Sequence, residues 1–143
     1  MVCVTQQRKV QIWIGCRDQG IHYFLIFKTV PQRGSFWQPV TGHVEVGESD
    51  QEAALRELKE ETGFECSNLR SLDFQFEFER GGEKFVETCF FADLGPVEVL
   101  PPPKICSKEH SDYEWVLADD AHRRVKHQSN KQALGKLKSR NLL

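Results

Sequence analysis

The residues best suited to chemistry are acidic side chains on one short segment of this 143-residue chain. Glu57, Glu60 and Glu61 are three and four residues apart, so on a helix their carboxylates lie together on one face. Three carboxylates this close repel each other unless a cation neutralises them. Oxygen ligands without cysteine or histidine at matching spacing favour Mg2+ or Mn2+, which also bind phosphate oxygens. The cluster therefore indicates metal-dependent chemistry on a phosphorylated small molecule.

The sequence around these carboxylates predicts a helix over residues 50–62. Ser49 is a suitable N-cap, and Glu52 three residues later completes a capping box. The residues that follow are strong helix formers, and Gly63 supplies the left-handed residue that ends the helix. Within this helix, Arg56 is suited to hold a carboxylate through two hydrogen bonds.

The alternative is that the helix only carries a solvated acidic face, as most charged segments do. The loop before the helix argues against this, because it adds Gly42 and a fourth carboxylate, Glu48. Gly42 and Glu48, followed by RELKEETGF at residues 56–64, resemble the Nudix box at every fixed position. On these residues the chain is identified as a member of the Nudix hydrolase superfamily.

This resemblance implies hydrolysis of a diphosphate linkage in a nucleotide-like substrate, with Mg2+ or Mn2+ as the cofactor. It also implies an α/β fold, a Nudix-type α/β/α sandwich around a mixed β-sheet. Arg56 and Glu48 are expected to support the metal cluster. The metal ligands expected from the box are the carboxylates of three glutamates and one backbone carbonyl: Glu57, Glu60, Glu61 and Gly42.

The resemblance extends past the box in three segments: FWQPVTGHVEVGES (residues 36–49), which overlaps its start, EHSDYEW (109–115) and SNKQAL (129–134). Together they are similar to the dihydroneopterin triphosphate pyrophosphohydrolases of bacterial folate synthesis. That subfamily implies Glu109 as a further metal ligand, and release of pyrophosphate and a pterin monophosphate. Either Glu109 or Glu60 is expected to accept the proton of the attacking water.

Two alternatives stay open. Pro39 and His43 resemble Nudix hydrolases of dinucleoside polyphosphates, so a dinucleoside polyphosphate or nucleoside triphosphate pyrophosphohydrolase is the first. The second belongs to another class, a non-catalytic Nudix-fold module that binds a nucleotide. Such a module would be expected to have lost a metal glutamate, whereas this chain keeps all of them.

Four residues are candidates for substrate binding. Trp37 is suited to stack on a heterocycle, and Gln38 beside it to hydrogen-bond the same ring. His43 adjoins the box and is a candidate phosphate contact. Lys131 lies in the last 23 residues, which hold seven Lys/Arg and no Asp/Glu, so this stretch either attracts a polyphosphate or forms a solvated helix face.

Composition agrees with a single domain over residues 1–143. A net charge of -2 gives no reason to expect a stable nucleic-acid complex. No stretch approaches the roughly twenty apolar residues of a membrane span, and the alternating N-terminal residues predict a first strand rather than a signal peptide. The five cysteines are odd in number and lack a CxxC pair, which predicts reduced thiols and a cytoplasmic protein.

Hydrophobic patterns predict the remaining elements. Leu72, Phe74, Phe76 and Phe78 alternate with polar residues, and this stripe is predicted to be core. The predicted strands, hairpin, loop and helix are as follows: strands over residues 8–16 and 21–28, a short edge strand over 36–40, a hairpin over 70–94, a loop over 95–108, a last strand at YEWVLA and a terminal helix from residue 129.

Overall fold

The computed structural model describes residues 6–140 and residue 142. The predicted first strand is present from Gln6, while residues 1–5, including Cys3, lie outside the described part. A short 3-10 turn covers Pro31–Arg33. The strands and helices, in chain order, are β1 (Gln6–Asp18), β2 (Ile21–Thr29), β3 (Trp37–Gln38), β4 (Val40–His43), α1 (Asp50–Thr62), β5 (Leu69–Arg80), β6 (Glu83–Pro96), β7 (His110–Val116), α2 (Ala118–Arg124) and α3 (Gln128–Ser139).

The strands form one mixed sheet in the order β3-β2-β1-β6-β5, with β4 also paired to β1 and β7 to β2. β1 and β6 are parallel, and the other pairs are antiparallel. Long strands at the centre of such a sheet are covered on both faces. Ile12, Trp13 and Ile14 of β1 are accordingly all fully buried.

Helices cover both faces of the sheet. On one face, Ala53, Ala54 and Leu58 of α1 pack with the even-numbered residues of β1 into one apolar cluster. On the other face, α2 and α3 pack against Trp13 and the aromatic residues of β2 and β6. The α/β/α sandwich around a mixed sheet is therefore confirmed.

Helix α1 has the predicted bounds because its predicted caps are present. The Ser49 side chain accepts from the Glu52 amide, and the Glu52 carboxylate accepts from the Ser49 amide, both at 3.1 Å. Gly63 ends the helix with a φ of 78°, a conformation that glycine adopts without strain. Since Ala54 and Leu58 face the sheet, Glu61 on the next turn is drawn toward the interior with them.

The predicted core stripe on β5 is divided. Leu72 is buried in the core, whereas Phe74, Phe76 and Phe78 are only half-buried. The rings of Phe76 and Phe78 stack at 5.9 Å between centroids, and Phe78 stacks on Phe85 at 5.0 Å. Phe74 and Phe76 pack against the edge of the core, and Phe76 and Phe78 also border a cavity.

Within residues 6–140, no helix is long and apolar enough to cross a membrane. Four cysteines of the described residues are free thiols: Cys16, Cys66, Cys89 and Cys106. Cys89 is fully buried, as its place in an apolar strand predicted.

Candidate active site

Strand β4 and helix α1 meet at Gly42 and Glu57. A Cβ atom on residue 42 would lie 2.2 Å from Cδ of Glu57, well inside van der Waals contact. Only glycine therefore lets the Glu57 carboxyl group lie against this part of the backbone. Gly42 and Glu57, two of the four metal ligands expected from the Nudix box, are therefore in direct contact.

Arg56 organises the carboxylates around it. Its Nε and Nη2 donate to the two oxygens of Glu48 at 2.8 and 2.9 Å, which is the predicted bidentate contact. Its Nη1 donates to Glu57 at 2.9 Å and to Glu60 at 3.2 Å, and its Nη2 also donates to the His43 carbonyl at 2.8 Å. The hydrogen bonds from Arg56 lower the pKa of Glu48 to about 2. Arg56 thus holds one turn of helix, one loop and one strand end together.

The three predicted glutamate ligands differ in exposure. The side chains of Glu57 and Glu61 are 12% and 8% exposed, whereas that of Glu60 is 55% exposed. Burial raises the pKa of both Glu57 and Glu61, in Glu61 to about 8, because water no longer stabilises the charged form. The negative charge of Glu109 adds to the effect on Glu61.

Glu61, Glu109 and His110 form a group that fits a cation. Each offers one ligand atom, and these atoms lie within 4.8 Å of one another. Glu61 Oε2 and both ring nitrogens of His110 are buried and have no hydrogen-bond partner among the described residues. Unpaired buried polar atoms are costly, and a divalent cation beside these carboxylates would satisfy Glu61 Oε2 and one ring nitrogen of His110 and would reduce the repulsion between the carboxylates. The donor set, mostly carboxylate oxygens, suits Mg2+ or Mn2+.

Three cavities are neighbours, because Lys9 and Thr41 line all three, and together they are here called the cleft. Its acidic end, about 150 Å³, lies beside the cation group and is bordered by Gly42, His43, Glu45, Glu57 and Glu109. Its basic middle, about 420 Å³, is bordered by Arg33, Gln38, Arg80 and His127. Its aromatic end, about 280 Å³, is bordered by Phe76, Phe78, Glu87 and Asn130.

Two of the four predicted substrate-binding residues line the cleft. Gln38 borders the basic middle and the aromatic end, and His43 borders the acidic end. Trp37 is not among the lining residues, because its ring packs against the core cluster with the Arg124 guanidinium 4.5 Å from its centroid. Lys131 donates its ammonium group to the His122 carbonyl, away from the cleft.

Several lining residues were missed by the sequence-based prediction. Lys9, Arg33, Arg80 and Glu87 come from separate elements and share no local spacing. Glu87 did carry a signal, because it shares the buried alternate positions of β6 with Phe85, Cys89 and Phe91. A charged residue in an apolar phase is worth examining as a functional group.

A model of the NUDIX domain family matches residues 6–137. Over 86 residues, 59% of this chain and 58% of the relative, the chain is 40% identical to the asymmetrical bis(5'-nucleosyl)-tetraphosphatase of Rattus norvegicus. Over 113 residues, 69% of this chain and 72% of the relative, it is 36% identical to the dihydroneopterin triphosphate diphosphatase of Escherichia coli K12.

The chain is also 37% identical over 114 residues, 77% of its length, to the octanoyltransferase of Myxococcus xanthus, of which it covers only 30%. It thus spans less than two thirds of this relative and of the rat protein. A binary complex of the C. elegans Ap4A hydrolase has the same fold, with a TM-score of 0.78 at 23% identity over 95% of this chain and 98% of that chain. With the family model matched over nearly the whole described sequence and the box carboxylates assembled around Arg56, this chain belongs to the NUDIX domain family.

Proposed function

We propose that this protein hydrolyses a diphosphate linkage in a nucleotide-like substrate with Mg2+ or Mn2+, and that the substrate is dihydroneopterin triphosphate. The products would be the pterin monophosphate and pyrophosphate. The observation that carries the proposal is the order of the three neighbouring cavities of the cleft, lined first by carboxylates, then by cationic side chains and then by aromatic rings. A substrate would fit this order with a metal-bound diphosphate at the carboxylates, its remaining phosphate at the cationic side chains and its heterocycle at the aromatic rings.

The residues suited to hold the metal are the buried carboxylates Glu57 and Glu61, with Glu109 and the Gly42 backbone beside them. A bound metal ion would polarise phosphate oxygens and lower the pKa of its water. Arg56 would keep Glu57 in place through its 2.9 Å hydrogen bond. His110 completes the cation group, which extends the ligand set expected from the box.

Glu109 is the better candidate for accepting the proton of the attacking water. Its carboxylate borders the acidic end of the cleft and is 37% exposed, so water reaches it. Glu60 is bound by the Arg56 guanidinium and is not one of the residues that border this end. A general base must lie within hydrogen-bond reach of the water whose proton it takes.

Arg33 and Arg80, two cationic residues of the basic middle, would bind phosphate oxygens that the metal does not hold. Arg33 also borders the acidic end. Lys and Arg side chains bind phosphate oxygens by charge-assisted hydrogen bonds. A small phosphorylated molecule is therefore the expected partner.

A second candidate is asymmetrical cleavage of a dinucleoside polyphosphate. The 40% identity to the rat tetraphosphatase supports it, as do Pro39 and His43 beside the box. The 36% identity to the E. coli dihydroneopterin triphosphate diphosphatase covers more of the chain, 69% against 59%, and this larger coverage favours the pterin substrate.

The test is a hydrolysis panel with dihydroneopterin triphosphate, nucleoside triphosphates, a sugar nucleotide and a dinucleoside tetraphosphate, with and without Mg2+. Phosphate and pyrophosphate are measured separately. We expect pyrophosphate release from dihydroneopterin triphosphate that EDTA abolishes. Faster cleavage of the dinucleoside tetraphosphate than of dihydroneopterin triphosphate would favour the second candidate. If no substrate is cleaved with Mg2+ or Mn2+, the proposed hydrolysis is contradicted and a non-catalytic nucleotide-binding module is the remaining alternative.

We also propose a cytoplasmic location. The four free cysteines of the described residues support it, because thiols stay reduced in that compartment.

A further inference from the structure

An ion pair with a buried carboxylate lies at the aromatic end of the cleft; Glu87 borders only this end, whereas Lys9 also borders the other two parts of the cleft. Lys9 on β1 and Glu87 on β6 are register partners in the sheet, and Lys9 Nζ lies 3.8 Å from Glu87 Oε1. Both side chains border the cavity, although Glu87 is only 4% exposed. Enclosing two charges in this way carries a desolvation cost that such a pair often fails to repay. The proposed hydrolysis assigns no role to Glu87.

A chain of hydrogen bonds that begins at Trp13 fixes Glu87 as a hydrogen-bond acceptor. Trp13 Nε1 donates to Gln11 Oε1 at 3.0 Å, and Gln11 Nε2 donates to Glu87 Oε2 at 2.9 Å. An indole N–H can only donate, so the Gln11 oxygen must face Trp13 and the Gln11 amide hydrogens must face Glu87. Glu87 therefore accepts at Oε2, and the nearby Lys9 ammonium favours acceptance at Oε1 as well.

The walls of the same cavity suit a flat ring. The half-buried faces of Phe76 and Phe78 lie on one side, and the Gln38 amide also borders the space. Asn130 is 2% exposed, and its Oδ1 has no hydrogen-bond partner among the described residues. An unpaired buried amide oxygen that borders a cavity is a group left for a ligand to satisfy. Stacking surfaces with a few fixed polar groups are typical of heterocycle sites.

We propose that Glu87 and Lys9 recognise a heterocycle with a 2-amino-4-oxo-pyrimidine edge, the edge that guanine and pterins share, and discriminate against adenine. The carboxylate would accept from the ring N–H and the 2-amino group, while the Lys9 ammonium would donate to the oxo group. Adenine offers a ring acceptor in place of that N–H and an amino donor in place of the oxo group. The ring nitrogen and the carboxylate would then both be acceptors, the amino group and the Lys9 ammonium would both be donors, and the contact to the 2-amino group would be lost.

This inference deepens the proposed function by naming the heterocycle class, and it is tested by binding without metal. Calorimetric titration of the wild-type chain in EDTA compares GDP, IDP and ADP, where IDP lacks only the 2-amino group of GDP. We expect GDP to bind about 10- to 100-fold more tightly than ADP, the discrimination of one bidentate pair, with IDP between them. Equal affinities, an ADP preference or no measurable GDP binding would overturn the inference.

The matched variants are Glu87→Gln and Glu77→Gln. Glu77 is an exposed residue of β5 that does not border the cleft. Glu87→Gln replaces one acceptor oxygen by a donor, so the GDP over ADP ratio should fall below about threefold, while Glu77→Gln keeps the wild-type ratio. If Glu87→Gln keeps the wild-type ratio of GDP to ADP affinity, Glu87 is not the group that selects the heterocycle. If this variant melts without a cooperative transition, the wild-type ligand series decides alone.

The two proposals fail in distinguishable ways. A chain that prefers GDP in EDTA but cleaves no substrate with Mg2+ or Mn2+ keeps this inference and loses the proposed hydrolysis. A chain that releases pyrophosphate but binds GDP, IDP and ADP equally keeps the hydrolysis and loses the inference.

Discussion

Glu57 lies so close to Gly42 that a Cβ atom on residue 42 would stand 2.2 Å from its Cδ. The carboxylate of Glu57 also accepts a 2.9 Å hydrogen bond from Arg56 Nη1. Glu57 is therefore confined between a backbone on one side and a guanidinium on the other. Its position depends on the absence of a side chain at residue 42.

We predict that Gly42→Ala lowers kcat/KM with Mg2+ by about 10- to 100-fold, because the new methyl group displaces Glu57 from its place beside the cation group. Overpacking of this kind should also cost about 1–3 kcal/mol of unfolding free energy. Steady-state kinetics and Mn2+ titration monitor the effect. The control is Gly135→Ala on α3, where nothing lies within 4 Å of the added Cβ. It should keep full activity and gain about 0.5–1 kcal/mol.

Removing the charge of Glu61 should abolish most turnover without unfolding the chain. Glu61→Gln keeps the shape of the side chain but removes a buried carboxylate from the cation group, and we expect a loss of about 100-fold or more in kcat. Thermal melting in EDTA should remain cooperative, because without metal the Glu61 carboxyl group is buried and its Oε2 has no hydrogen-bond partner among the described residues. Glu65→Gln, at an exposed carboxylate paired with Lys59, is the control and should keep wild-type kinetics. Full activity of Glu61→Gln would remove Glu61 from the site.

How far the sequence predicts this molecule depends on the range of each signal. Helix α1 was predictable to the residue, since Ser49, Glu52 and Gly63 are signals within the segment that they delimit. Glu57 at the acidic end of the cleft was predicted for the same reason, because it is spaced with Glu60 and Glu61 along that one helix. Glu45, from the loop before the helix, borders the same end and was not predicted. The hairpin of β5 and β6 was also predicted, although its strands extend to Leu69 and Pro96.

The rest of the cleft depends on contacts between distant segments. Gln11 and Glu87 are 76 residues apart and meet only because β1 pairs in parallel with β6. The stripe of Phe76 and Phe78 has the same period of two whether protein or ligand covers it, so its pattern predicted core. Lys131 shows the converse: a motif residue in the basic C-terminal stretch turns to a backbone carbonyl instead of the cleft.

Glu48 should stabilise the chain in a pH-dependent way. The two hydrogen bonds from Arg56, with a third from the Glu45 amide at 3.0 Å, lower its pKa from 4.5 to about 2. A carboxylate whose pKa is lowered by folding stabilises the protein above the unfolded pKa, and that stabilisation is lost as pH falls toward the folded pKa. The contribution is thus full above pH 4.5 and disappears toward pH 2.

The corresponding variant is Glu48→Gln. Urea unfolding between pH 6 and pH 2.5 should show wild type as the more stable protein at pH 6, with the difference shrinking as the pH falls below about 4.5. Glu79→Gln, at an exposed position on β5, serves as the control for general charge effects. A difference that stays constant across this pH range would mean that ionised Glu48 does not account for it.

Arg33 is predicted to bind the phosphates of the substrate. It borders both the acidic end and the basic middle of the cleft, and its guanidinium is half exposed. We expect Arg33→Gln to lower kcat/KM about 10- to 100-fold, the value of a charged hydrogen bond, mainly through a higher KM. Arg17→Gln, which breaks a 3.8 Å pair with Asp93 away from the cleft, should leave both constants unchanged.

The kinetic constants also distinguish two roles for Arg33, because its Nη1 lies 3.7 Å from Glu109 Oε1. If Arg33 contacts the phosphates, Arg33→Gln raises KM, weakens the salt dependence of KM and is partly rescued by Arg33→Lys. If it instead positions Glu109 as the proton acceptor, kcat at saturating substrate falls and its pH profile shifts, while KM stays close to wild type. An unchanged KM in Arg33→Gln would therefore contradict the phosphate contact even if activity were lost.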